Sequence, residues 1–140
     1  SAEMLRKAYD HGVPILCGTE SGFSVTPYGQ WHYREMEILM KEMGFTALEA
    51  IRSSTSVNAF AMRLEGEIGR IEEGAFADLI IVSVDPIKDI TSLGDLENIK
   101  MIMKSGEIQK FEEEMNRLSI PGWRVVSYGQ ILSKDLVNKK

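Results

Sequence analysis

The hydrophobic positions change period part-way along the chain. Ala2, Leu5, Ala8 and Tyr9 recur at helical spacing and Gly12 supplies a stop, so the spacing predicts a helix over Ser1–His11. Val13-Pro14-Ile15-Leu16-Cys17 is a short apolar run of β character closed by Gly18, which predicts a strand over 13–18. Helix, glycine, apolar strand is the tail of an αβ unit and favours a parallel sheet. Residues 21–32 (SGFSVTPYGQWH) are rich in Gly, Pro, Ser and aromatics and predict a loop. A long loop behind the carboxyl end of a strand often carries function. Met36, Leu39, Met40 and Met43 then stripe a helix predicted over Tyr33–Met43, with Gly44 as its end. That stripe reads as core, not as a cofactor box. Thr46 with Glu49 three residues on is a capping-box pattern. It opens a helix running to about Leu64, with Leu48, Ile51 and Phe60 as buried candidates.

Near residue 66 the pattern becomes that of short strands. Glu67–Ile71 and Ala77–Val84 read as strands around a Glu72-Glu73-Gly74 turn, and the second is rich in β-branched residues and leucine. Ile99–Met103 and Glu107–Lys110 read as a hairpin about Lys104-Ser105-Gly106. Farther on, Phe111–Leu118 is polar and helical, Pro121-Gly122 a turn, Trp123–Tyr128 one more strand, and Asp135–Lys140 a frayed end. The expected organisation is an α/β part over residues 1–64, a β-sheet module over 65–110, and a C-terminal helix and tail over 111–140. Neither of the first two parts is complete by itself. One strand cannot make a parallel sheet, and short strands with exposed edges want partners.

Composition narrows the class. Hydrophobic residues are 44% and charged residues 26%, the balance of a globular protein. No apolar run approaches the roughly 18 residues that a membrane span needs. The opening Ser-Ala-Glu-Met-Leu-Arg-Lys mixes charges early and does not read as a signal peptide. A single cysteine, Cys17, makes no disulfide framework and leads to the expectation of a reducing, cytoplasmic setting. Sixteen basic against twenty-one acidic residues give a net charge of −5 without a basic stripe, which argues against nucleic acid and anionic membranes as partners.

The chemistry-bearing motifs are few. There is no His-x-His, His-Glu-x-x-His, Cys-x-x-Cys or P-loop, and Gly18–Gly22 does not match a nucleophile elbow. His11 at a helix end reads as a cation against the helix dipole. His32, beside Trp31 and Tyr33, reads either as a structural histidine or as a metal or substrate ligand. Cys17 reads as a small buried hydrophobe, and Glu112-Glu113-Glu114 as a solvated helix face. Glu20 is the open case. A carboxylate at the carboxyl end of a strand stands where α/β folds place catalytic groups, for metal ligation or general-base work. The competing reading is a turn carboxylate accepting backbone N–H bonds from Gly22 or Phe23.

Several stretches together resemble the amidohydrolase superfamily. GVPILCGTESG resembles the strand that closes its barrel, usually Gly-Val-x-Ile-x-x-Gly-Thr-Asp. TPYGQWHYREMEILMKEMGFTALEAIRSST resembles the following helices of the Xaa-Pro dipeptidase and imidazolonepropionase-like branch. GEIGRIEEGAFADLIIVSVDPIKDI is similar to the return into the small β-sandwich, with its Gly-x-Ile-x-x-Gly-x-x-Ala-Asp-Leu signature, and NIKMIMKSGEI to the final hairpin. The likeness covers about residues 1–110. It implies the last αβ(α) segment of a (β/α)8 TIM barrel followed by the C-terminal strands of a β-sandwich. It also implies hydrolysis of amide, peptide or cyclic C–N bonds by water activated on one or two divalent metals, often zinc.

By that resemblance Glu20 occupies the position of the family's catalytic and metal-binding aspartate, and Tyr28, Trp31 and His32 are substrate-side loop residues. Three positions depart from the family pattern: Glu20 replaces aspartate, Arg63 stands where relatives often have glycine, and Tyr28 where close relatives often have histidine. In family terms the chain starts near the seventh helix, so the barrel's histidine ligands lie outside it. The expectation is therefore a C-terminal part of an enzyme acting on a small amide or peptide substrate. These 140 residues alone are expected to be inactive, bound to no metal, and prone to homo-oligomerise. The alternative is a non-catalytic, self-associating module in which Glu20 is a relic.

Overall fold

A computed structural model describes residues 2–21, 26 and 31–109. Helix α1 spans Ala2–Asp10 and carries two i,i+4 ion pairs, Glu3–Lys7 at 3.0 Å and Arg6–Asp10 at 2.9 Å. His11 ends it with Nδ1 at 2.7 Å from the Lys7 carbonyl. Residues 13–20 show the period-2 burial expected of a strand: Ile15, Cys17 and Thr19 turn inward while Val13 and Leu16 stay exposed. Among the described residues this segment belongs to no strand ladder. The Cys17 N–H instead reaches the Ser53 carbonyl at 3.2 Å.

Helix α2 begins at Trp31, two residues before its expected start, and runs to Met43. Arg6 caps its far end, donating to the carbonyls of Met43 and Gly44 at 3.2 Å each. The methionine stripe is core as expected. Met36 packs with Ala50 and Ile90, and Leu39 and Met43 pack with Phe45, while Cys17 and Met40 touch both groups. Burial of one such side chain is worth roughly 2 kcal/mol.

The expected long helix after Thr46 is two helices, α3 at Ala47–Ser54 and α4 at Ser56–Met62. The capping box is present, with Glu49 Oε2 accepting from the Thr46 N–H at 2.7 Å. The break falls at Thr55 (φ −123°, ψ −93°). The Ser54 and Thr55 hydroxyls bond back to the carbonyls four residues earlier, at 3.1 and 2.7 Å, and this local bonding competes with a straight helix. Leu48 and Phe60 are exposed, against expectation. The buried face of α3 is Ala47, Ala50 and Ser53, small residues that let it lie close to α2.

The strand expected over 67–71 is a turn with one bridge, Glu65 to Ile68. Gly66 and Gly69 are left-handed there (φ +84° and +78°), and a Cβ on Gly69 would come within 2.8 Å of the Thr55 carbonyl oxygen. Strands β1 (Leu79–Val82), β2 (Ile99–Lys104) and β3 (Glu107–Gln109) form an antiparallel sheet in that order. Leu79 lies opposite Met103, and Met103 opposite Ile108. Ser105 and Gly106 both take positive φ, as a two-residue hairpin turn requires. Asp78 closes that corner, accepting the Ser105 N–H at 2.6 Å. This gives the acid of the Ala-Asp-Leu signature a structural role. Between β1 and β2 a 3-10 turn, Ile90–Gly94, drops Ile90 into the α2–α3 core and so ties the sheet to the helices. The strand and helix expected after residue 110 lie outside the described residues.

Candidate functional site

The turn after residue 17 carries Glu20, the candidate carboxylate. Its backbone reverses at Glu20, whose φ of +47° is left-handed and costs a non-glycine residue roughly 1 kcal/mol or more. Glu20 is exposed, and among the described residues no hydrogen bond or ion pair engages its carboxylate. Only its carbonyl is held, accepting from the Thr26 hydroxyl at 3.2 Å. The Thr19 and Ser21 hydroxyls sit 2.8 Å apart across the turn. The Gly18 N–H donates to Glu35 Oε1 at 3.0 Å. The competing partners for the Glu20 carboxylate, Gly22 and Phe23, lie outside the described residues, as does Tyr28.

Trp31 is half-buried at the start of α2. It lines an open, mostly apolar groove of about 720 Å³ together with Leu16, Gly18, Thr19 and Glu35. Trp31 therefore shares a wall with the residues just before Glu20. His32 does not line that groove. Its Nε2 lies 3.4 Å from the Leu93 carbonyl, and its ring meets Tyr33 edge-on with centroids 5.3 Å apart. Of the four residues singled out from sequence, Trp31 is placed beside the turn and His32 against the 90–94 segment.

Burial pushes the Cys17 thiol up, opposed by the Ser54 hydroxyl, which donates to Sγ at 3.1 Å. A neutral thiol of this kind is a packing group and not a nucleophile. Glu35 was missed by sequence reasoning. The available signal was its position four residues before Leu39, a carboxylate on the apolar stripe of α2.

Among the described residues no three His, Cys, Asp or Glu side chains come together to hold a metal ion. The donor set of the turn is one exposed carboxylate, and a catalytic zinc takes about three protein ligands. These residues by themselves do not fit such a metal.

The model of the amidohydrolase family matches residues 1–109. The chain belongs to the amidohydrolase family. Among solved structures, this amidohydrolase chain is similar to a Xaa-Pro dipeptidase with bound methionine in its active site. That pair shares 35% identity with a TM-score of 0.67, covering 79% of this chain and 25% of the other. It is similar also to a prolidase complexed with N-methylphosphonate-L-proline, at 26% identity and a TM-score of 0.65, covering 79% and 26%. The ochratoxinase of A. niger shares the fold, at 24% identity and a TM-score of 0.66, covering 76% and 24%. The chain thus spans about a quarter of the length of the solved relatives it matches. No curated protein sequence matches it. Amidohydrolases are typically metal-dependent.

Proposed function

We propose that this chain supplies the last catalytic carboxylate, Glu20, to a metal-dependent amidohydrolase of the Xaa-Pro dipeptidase type. The reaction is hydrolysis of an amide or peptide bond in a small substrate by an activated water. The observation that carries the reading is the position of Glu20. It follows the Gly18-Thr19 pair that resembles the family's closing strand, it is exposed, and its backbone is held in a costly left-handed turn. A carboxylate presented this way takes a proton from the attacking water and returns it to the leaving amine. In the complete enzyme Glu20 would be one of the groups holding a divalent metal, zinc by family resemblance, whose chemistry would be to polarise water and substrate. The metal's other ligands come from outside the described residues, so Glu20 is one donor of a dispersed site.

Trp31 is proposed to wall the substrate side of the turn, with Tyr28 and His32 on the same loop-to-helix segment. Proline-containing dipeptides rank first as substrates because both a Xaa-Pro dipeptidase and a prolidase are among the structural relatives. The barrel placement of residues 1–64 and the sandwich placement of 65–110 belong to the same proposal. So do a cytoplasmic setting and homo-oligomerisation. Among the described residues no helix is long and apolar enough to cross a membrane.

Metal content tests the dispersed site. The purified 140-residue chain, stripped with chelator, reloaded with zinc and dialysed, is expected to retain none by elemental analysis. About one zinc per chain, lost on Glu20→Ala, would show instead that these residues assemble a complete site.

A further inference from the structure

Glu35 is unusual among the carboxylates of this chain. It is half-buried beside the Met36–Leu39 stripe of α2, yet no cation pairs with it among the described residues. Its Oε1 accepts the Gly18 N–H at 3.0 Å, while its Oε2 is buried with no hydrogen-bond partner among the described residues. A buried carboxylate oxygen is costly to leave unpaired, so its retention on an apolar helix face calls for a use. Gly18 sits two residues before Glu20. The other bonds within the turn are local, between Thr19 and Ser21 and between Thr26 and the Glu20 carbonyl. Among the described residues Glu35 is the side chain that ties Gly18 to α2, next to the bond from the Cys17 N–H to the Ser53 carbonyl on α3, and α2 is held by Met36, Leu39 and Met43 in the core.

We propose that Glu35 is a positioning residue, which fixes the Gly18–Ser21 turn on α2 and thereby sets the left-handed backbone that presents Glu20. This deepens the reading of Glu20 given above and rests on it. Glu35 touches no reacting group. It acts through the Gly18 amide, much as outer residues orient catalytic groups in preorganised sites. A charged acceptor on a backbone N–H is among the stronger hydrogen bonds, so its loss should be visible locally.

Amide hydrogen exchange on the 140-residue chain tests this without any activity assay. Glu35→Ala is expected to raise exchange at Gly18 about tenfold or more and to move the Glu20 amide resonance, with Ala50 in the core unchanged. Glu35→Gln keeps an oxygen acceptor at Oε1 and is expected to restore both readouts. Because Gln keeps the side-chain volume, it also controls for an Ala variant that loosens the core. Unchanged Gly18 exchange in Glu35→Ala, or a Gln variant behaving like Ala while both keep the native melting temperature, overturns the proposal. Retained hydrolysis after removal of the Glu20 carboxylate would defeat the proposed function and leave this tie to Gly18 standing.

Discussion

Among the described residues three non-glycine positions hold left-handed backbone: Ser105 in the hairpin turn, Glu20 and Arg63. The last two differ in what they offer in return. Arg63 is the C-cap of α4 at φ +59°, its N–H reaching the Ala59 and Phe60 carbonyls. Its side chain takes part in no ion pair among the described residues. Relatives that carry glycine there avoid the steric cost of a Cβ. Arg63→Gly is therefore expected to stabilise the chain by about 1 kcal/mol, read from the midpoint of urea unfolding. No gain in midpoint would mean that the Arg63 stem contributes packing that outweighs the strain. Glu20 keeps the same strain at the turn that the family resemblance marks as catalytic, which is where strained backbone tends to persist. The carboxylate itself was legible from sequence as a group at the end of a strand. Its left-handed backbone was not, because the contacts around the turn, from Thr26 to the Glu20 carbonyl and from Gly18 to Glu35, form no local motif that spacing reveals.

Helices whose signals are local were read well, and helices shaped by competition were not. The methionine stripe of α2 and the Thr46–Glu49 capping box both follow from spacing within one element. The break at Thr55 follows from hydroxyl back-bonding, and the exposure of Leu48 from the small-residue face by which α3 meets α2, while on α4 the buried side is Ala59 and Phe60 stays exposed. Periodicity alone does not rank Ala against Leu for the buried side. The strand signal of residues 13–18 survives as alternating burial, but its ladder needs neighbours that the described residues do not supply.

The capping box makes its own prediction about stability. The Glu49 carboxyl is held below the usual carboxylate range, first by the Thr46 backbone N–H and then by the Thr46 hydroxyl. Folding thus favours the ionised form. Its contribution is complete above the ordinary carboxylate pKa and is lost as the pH falls through the depressed folded value. Glu49→Gln should flatten that acid limb in melts between about pH 7 and pH 3, taken across the ordinary carboxylate range. Thr46→Ala should cost about 1 kcal/mol at neutral pH. An acid limb of the same depth in Glu49→Gln would assign it to other carboxylates.

At the scale of the molecule the two parts are joined by Ile90 and Leu93 on α2, with Gly94 pressed against the Tyr33 ring. The sheet beyond that joint is thinly covered. Ile80, Ile108 and Phe76 are 62%, 61% and 53% exposed, and among the described residues β1 and β3 each leave one edge of the three-stranded sheet unpaired. Apolar edges of this kind recruit strands. The 140-residue chain is expected to self-associate in sedimentation velocity, with the dimer weakened by Ile80→Lys. A monomer with a single cooperative melt would contradict this.

The account rests on Glu20 as a proton-handling carboxylate, and one comparison bears on it directly. Hydrolysis of an aminoacyl-proline dipeptide is measured for the native protein that carries this sequence, at the length the cell makes it, supplied with zinc. Glu20→Gln keeps the side-chain shape and removes the base. The account predicts a loss of about 100-fold or more in kcat with KM little changed. Turnover by Glu20→Gln at the rate of the unaltered protein would contradict it.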